Sequence, residues 1–192
     1  MNVFETIKNR RSIAKMKDVP VEREKVEKIL EAAIWAPNHR HTEPWKFFVL
    51  SGEGRRPLSR VLKEVAYGRV DEPESEAGQK RIEKISQKPM AAPTVIVVAL
   101  SPDDDPKAIY IEDVCAVAAA TQNMLLAAHE MGIASIWRSG PIFDTPPVRE
   151  YFNLEEREEI LGLIFLGEPD MEKGNVKRTP FEEKTTWIES DD

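Results

Sequence analysis

Residues 108–131, AIYIEDVCAVAAATQNMLLAAHEM, decide how the rest of the chain is read. Glu112 and Asp113 sit in the first turns, where a helix dipole favours negative charge, and no residue from Val114 to Ala128 is charged. Ala, Leu and Met dominate that run, so helix propensity is high and no side is evidently meant for water. The stretch predicts a buried central helix of a globular domain. A membrane span is the rival reading, but Gln122 and Asn123 fall mid-segment and the uncharged run is shorter than the ~20 residues a bilayer needs. Gly132 stands where a left-handed C-cap belongs, and the chain then enters Ile133 to Trp137, a short β-branched run predicted as a strand. Arg138, Ser139, Gly140 and Pro141 follow at once.

Around this helix the chain has room for one sizeable core. Its 192 residues predict a single domain, with 169–192 as a C-terminal arm. The net charge of −7 argues against nonspecific nucleic-acid binding, since a phosphate backbone would be repelled by the average surface. The N-terminal MNVFETIKNRR lacks the uninterrupted apolar core of a signal peptide, which places the protein in the cytoplasm. Cys115 is the single cysteine and so makes no internal disulfide; inside the apolar helix it reads as an inert buried thiol.

Asn2 can cap a short first helix whose Val3, Phe4 and Ile7 share a face. That helix runs into Arg10, Arg11 and Ser12. Two guanidiniums and a hydroxyl make a candidate phosphate clamp, although arginines at a helix C-terminus also simply complement the dipole. A second helix is predicted over 22–35, with Val26, Ile29, Leu30, Ala33 and Ile34 in an amphipathic stripe that Pro37 stops. Residues 36–45 read as a loop. Its His39 and His41 lack a third ligand at metal spacing, so no metal is expected. Strands are predicted over 46–51, 93–100 and 160–166, the second an almost continuous apolar run expected to be covered on both faces. Gly52 to Gly54 lead into a helix near Arg55, and a further one is expected over 77–87 within a charged, mobile surface segment. There is no G-x-G-x-x-G and no phosphate-loop motif. Beyond Pro169 the tail is charged, yet it carries Phe181, Trp187 and Ile188, anchors for docking on its own core or on a second subunit.

Three stretches taken together resemble the nitroreductase family of flavoproteins. They are Arg10-Arg11-Ser12, the loop from Ala36 through His39 to the Glu43-Pro44-Trp45 run, and Gly132 to Gly140 with its Trp137-Arg138-Ser139-Gly140 end. The resemblance is closest to small single-domain members. It implies an α+β fold with a central mixed or antiparallel sheet flanked by helices, and a homodimer whose C-terminal arms are exchanged. It further implies two FMN sites at the dimer interface, NAD(P)H as hydride donor, and small-molecule acceptors such as nitroaromatics or quinones reduced by ping-pong hydride transfer. Relatives also include a reductive dehalogenase and a flavin-fragmenting enzyme, and a flavin-binding dimer without turnover is a third reading.

Carried over by position, the resemblance assigns Arg10, Arg11 and Ser12 to the FMN phosphate and ribityl region. Trp35 and His39 match positions that reach the flavin from the other subunit. Trp137, Arg138, Ser139 and Gly140 match the loop beside the isoalloxazine, where a backbone N–H faces N5. Arg178 matches a C-terminal phosphate-binding arginine. In relatives nicotinamide contacts are also assigned to the segment matching 127–132, here the end of an apolar helix. No protein side chain is expected as catalytic acid or base, because the flavin carries the chemistry. Two positions depart from the pattern: Ala14 stands where many members carry a lysine near flavin N1, and Glu43 where many carry glutamine. Arg138 is a candidate to supply the missing cation.

Overall fold

The computed structural model describes residues 2–189. Four antiparallel strands form one sheet in the order β1-β2-β4-β3, where β1 is Trp45–Ser51, β2 Thr94–Leu100, β3 Ala134–Arg138 and β4 Glu159–Gly167. All seven β2 residues are buried, as an apolar run without alternation requires. Alternate side chains of β2 enter two separate cores. Ile96, Val98 and Leu100 meet Val26, Ile29 and Ala33 of α2 (Arg23–Ile34) and Val117, Ala120 and Met124 of α5 (Tyr110–Glu130). Val95, Val97 and Ala99 meet Leu58, Leu62 and Val65 of α3 (Arg56–Tyr67) and Val148 of α6 (Pro146–Tyr151). The architecture is thus α+β, a sheet between two helical layers. On the α3 side, α4 (Glu76–Ser86) places Ile82 against Ala66 and Val70, so this charged segment is docked through an apolar face.

The central helix ends as its sequence requires. Gly132 has φ +72°, and its N–H donates to His129 O at 3.0 Å while that of Ile133 donates to Ala128 O at 2.8 Å. That pair of bonds is a Schellman closure, and it aims the chain straight into β3. Asn2 caps α1 (Val3–Asn9) in a reciprocal capping box with Glu5.

One expectation, a buried Cys115, needs correction, and two faces left open by the sequence are uncovered in the single chain. The shared face of α1 does not enter the core: Val3, Phe4 and Ile7 are exposed, Phe4 at 71%. Thr6 instead points inward and donates to Glu130 Oε2 at 2.9 Å. Cys115 is exposed, because α5 buries the face through Ala116, Ala120 and Met124 and leaves Ile111, Cys115 and Gln122 uncovered. A run of uncharged residues does not say how many sides a helix hides within one chain. The tail does not fold back on its own core either, since Phe181, Trp187 and Ile188 all stay exposed around a single 3-10 turn at Phe181–Lys184.

Met124 is fully buried between the sheet and α2. Met124→Ala should lower unfolding free energy by about 2–5 kcal/mol through lost transfer energy and a residual cavity, measured by urea denaturation with circular dichroism.

Candidate functional site

Segment 10–13 leaves α1 and docks on the free edge of β3. Ile13 N–H donates to Ser135 O at 3.0 Å, and Ser12 and Ser135 form a parallel bridge. Residues 15–17 then pair with the chain leaving β4, through Lys17 N–H to Glu168 O at 2.9 Å and Asp170 N–H to Lys15 O at 3.0 Å. The start of the chain, the end of α5 and the root of the tail therefore converge.

They bring positive charge together. Burial first, then the neighbouring guanidiniums of Arg11 and Arg178, hold Arg10 below its ordinary pKa. Arg11 donates Nη1 to the carbonyls of Lys8 (2.6 Å) and Arg10 (2.8 Å), which leaves its buried Nε without a partner. Among the described residues none of Arg10, Arg11, Lys173 and Arg178 is ion-paired. A cavity of about 410 Å³ opens here, lined by Arg11, Ile13, His129, Ser135 and Lys173 among others. His129 is buried with Nε2 unpartnered, and burial followed by the charges of Lys173 and Arg10 pushes its pKa down. Glu130 and Glu172 line the same cavity, Arg178 is near enough to Arg10 to act on its charge, and the Arg11 Nε and His129 Nε2 atoms are buried without a hydrogen-bond partner among the described residues.

The other end of β3 carries Trp137, Arg138, Ser139 and Gly140, all exposed. Trp137 lies over β4 where Gly162 makes room; a Cβ at Gly162 would sit 2.2 Å from the indole Nε1 and 2.8 Å from Arg138 O. Arg138 stacks on buried Phe165, its Cζ 5.6 Å from the ring centroid.

Trp35 and His39 are not brought to the arginine cluster within this chain. Trp35 caps the end of α2 and is 80% exposed. His39 belongs to a loop fastened to the start of α5, with Nδ1 2.6 Å from Glu112 Oε2, Thr42 Oγ1 donating to Asp113 Oδ1 at 2.8 Å, and Glu43 N–H donating to Asn38 Oδ1 at 3.1 Å. Arg40, His41 and Glu43 have φ of 59°, 56° and 42°, a run of left-handed non-glycine residues held only because the loop is pinned at these points. Glu112 and His129 lie at opposite ends of α5, roughly 25 Å apart at the helical rise.

The model of the nitroreductase family matches residues 7–168. YdjA of Escherichia coli K12, which carries the provisional name of an NAD(P)H nitroreductase, is 33% identical over 182 residues, 94% of this chain and 95% of YdjA. The chain belongs to the nitroreductase family. It is an oxidoreductase fold throughout: a nitroreductase-like family protein of Bacillus cereus superposes with a TM-score of 0.82 at 33% identity, covering 99% of this chain and 97% of that one. A nitroreductase of Bacteroides fragilis solved with bound FMN superposes at 0.72 with 26% identity, covering 98% and 100%.

Of the residues that mark this family in the sequence, the structure gathers Arg10, Arg11, Ser12 and Arg178 at one end of β3 and strings Trp137, Arg138, Ser139 and Gly140 along the other. Sequence reasoning missed His129 and Lys173. The first looked like the end of an apolar helix and the second like one charge of a polar tail; only the fold puts them on one cavity.

The fold accommodates neutral His129. Its folded pKa lies below the unfolded value of 6.5, so beneath pH 6.5 the unfolded chain binds a proton that the folded one refuses. Stability should therefore hold above about pH 6.5 and fall as pH drops towards the folded pKa, with a slope of at most ~1.4 kcal/mol per pH unit. Thermal melts from pH 8 to pH 5 check this, and His129→Asn should flatten that part of the profile.

Proposed function

We propose that this protein is an FMN-dependent NAD(P)H oxidoreductase that reduces nitroaromatic, quinone or similar acceptors in a ping-pong cycle, and that it works as a homodimer. The observation that carries the reading is the unpaired cluster of Arg10, Arg11 and Arg178, whose mutual repulsion a terminal phosphate would relieve. The donor set fits such a group. Guanidinium forks match phosphate geometry, and the buried Arg11 Nε has no hydrogen-bond partner among the described residues.

When bound, FMN supplies the redox chemistry, accepting a hydride from NAD(P)H and passing it to the acceptor. The chain's own residues bind and orient. Arg10, Arg11 and Arg178 hold the phosphate, with Ser12 at the ribityl end. Trp137 offers a flat apolar wall, kept in place by the absence of a side chain at Gly162. Ser139 and Gly140 present backbone N–H groups at the open end of β3, and Gly140 at φ +148° holds that turn in a region other residues avoid. No side chain is required to move a proton.

Dimerisation follows from what one chain leaves uncovered. Phe4 and Ile7 of α1, Trp35, Ile111 of α5, and Trp187 with Ile188 of the tail are large apolar groups in water. β1 is an edge strand with an open hydrogen-bonding side. A second copy would cover both, exchange the 169–192 arm, and deliver Trp35 and His39 to the flavin bound by its neighbour. A flavin-binding dimer with no turnover would share all these features but leave the flavin colour unbleached by NADH and NADPH under anaerobic conditions.

Arg10→Ala should weaken FMN binding about tenfold to a hundredfold, since a charge-assisted bond contributes about 1.5–3 kcal/mol, while the apo-protein melts as wild type. Fluorescence titration of FMN into both apo-proteins checks it. Unchanged affinity would leave Arg10 as a helix-end cation only.

A further inference from the structure

The chain leaving β4 is tied down before it becomes the arm. Residues 168–170 lie antiparallel to residues 15–17, joined by Lys17 N–H to Glu168 O at 2.9 Å, Asp170 N–H to Lys15 O at 3.0 Å and a bridge between Met16 and Pro169. Side chains repeat the pairing. Lys15 Nζ lies 2.9 Å from Asp170 Oδ2, and Lys17 is bonded to Glu168. The lysine holds the Asp170 carboxyl below its ordinary pKa, and Glu168 holds Lys17 above its own, so both pairs are charged at neutral pH. Gly167 permits the approach, since a Cβ there would stand 2.9 Å from Met16 Cβ and from the ring of Pro93.

This short ladder ends at Asp170. Among the described residues none from 171 to 179 makes a hydrogen bond or an ion pair, and all of them are exposed. Yet Pro169, Met171, Glu172 and Lys173 form one wall of the 410 Å³ cavity, facing Arg11 and His129 among its other lining residues. Those other walls belong to α5, β3 and the segment bonded to β3, all held by the fold. Further along the same strip, Arg178 is near enough to Arg10 to act on its charge. One wall of the cavity is therefore a strip of exposed chain fastened at one end by two backbone bonds and two surface ion pairs. Surface pairs are individually weak, and a segment with so few buried contacts opens at low free energy while the rest of the cavity stays shut.

We propose that residues 168–173 are a strap that closes the cavity over the phosphate end of a bound cofactor and opens to release it, with the 15–17 ladder as its latch. The proposal rests on the flavin reading for its cargo. It gives a role to Lys15, Lys17, Glu168 and Asp170, which no motif marks, and it makes the lifetime of the bound flavin depend on surface ion pairs. Because closing and binding favour each other, the cofactor must in turn hold the latch shut.

The test is the rate of FMN release, read from the return of flavin fluorescence on rapid dilution, together with hydrogen exchange of the Lys17 and Asp170 amides. Asp170→Lys sets two lysines against each other at the latch and should release FMN about threefold to tenfold faster than wild type. Charge alone predicts the opposite sign, since an added cation beside a phosphate site slows release. Lys15→Asp combined with Asp170→Lys restores an opposite pair and should bring the rate back towards wild type. In wild type, FMN should slow exchange at both amides. Full FMN binding with release in Asp170→Lys equal to or slower than wild type, no recovery in the swapped pair, or exchange at the two amides indifferent to FMN overturns the strap and leaves the flavin reading standing. Wild-type protein that takes up no FMN sinks the flavin reading and the strap with it.

Discussion

Burial of β2 on both faces constrains everything else in this structure. Because Ile96, Val98 and Leu100 enter the α2–α5 core and Val95, Val97 and Ala99 the α3–α6 core, neither face of the sheet is open to a ligand. Polar function is driven to the sheet's edges and ends. At the β3 edge the strand is short, five residues, and its neighbour is a strip of chain from 10 to 13 rather than a full strand. The Schellman turn at Gly132 sets where that edge begins, so the placement of the site is inherited from the way α5 stops.

Electrostatics then acts on a scaffold that hydrophobic packing has already fixed. Burial and the charges of Arg11 and Arg178 hold Arg10 below its ordinary pKa, and burial with the charges of Lys173 and Arg10 pushes that of His129 down. Elsewhere the same chain satisfies a buried charge fully. Glu158 is almost completely buried, and although burial pushes its pKa up, bonds from Lys46 (2.7 and 2.9 Å), Ser101 and the Glu155 N–H bring it below the ordinary carboxylate range. Glu158 is closed by its own partners, whereas Arg10, Arg11 and Arg178 have no ion-pair partner among the described residues.

Much of this was legible in the sequence for identifiable reasons. Strong one-dimensional patterns survived intact: the apolar run at 94–100, the stripe of α2, the Asn2 cap and the glycine stop at 132 each specify their element locally. The motifs Arg10-Arg11-Ser12 and Trp137 to Gly140 named the family, yet they do not say that Ser12 bridges Ser135, which is a tertiary fact. What could not be read was direction. Val3, Phe4, Ile7 and Cys115 lie in apolar surroundings on paper, and periodicity cannot distinguish a face turned to the core from one turned to a second subunit. His129 and Lys173 carry no pattern at all; they are distant in the chain, and only the fold places them on one cavity.

The central claim is that an unpaired guanidinium cluster awaits a terminal phosphate. Thermal unfolding of the apo-protein in the presence of FMN and of riboflavin, which differ only in that phosphate, addresses it most directly. FMN should raise the midpoint by several degrees at concentrations where riboflavin raises it little, since a ligand stabilises in proportion to its affinity for the folded state. Equal stabilisation by riboflavin, or none by FMN, would contradict the account.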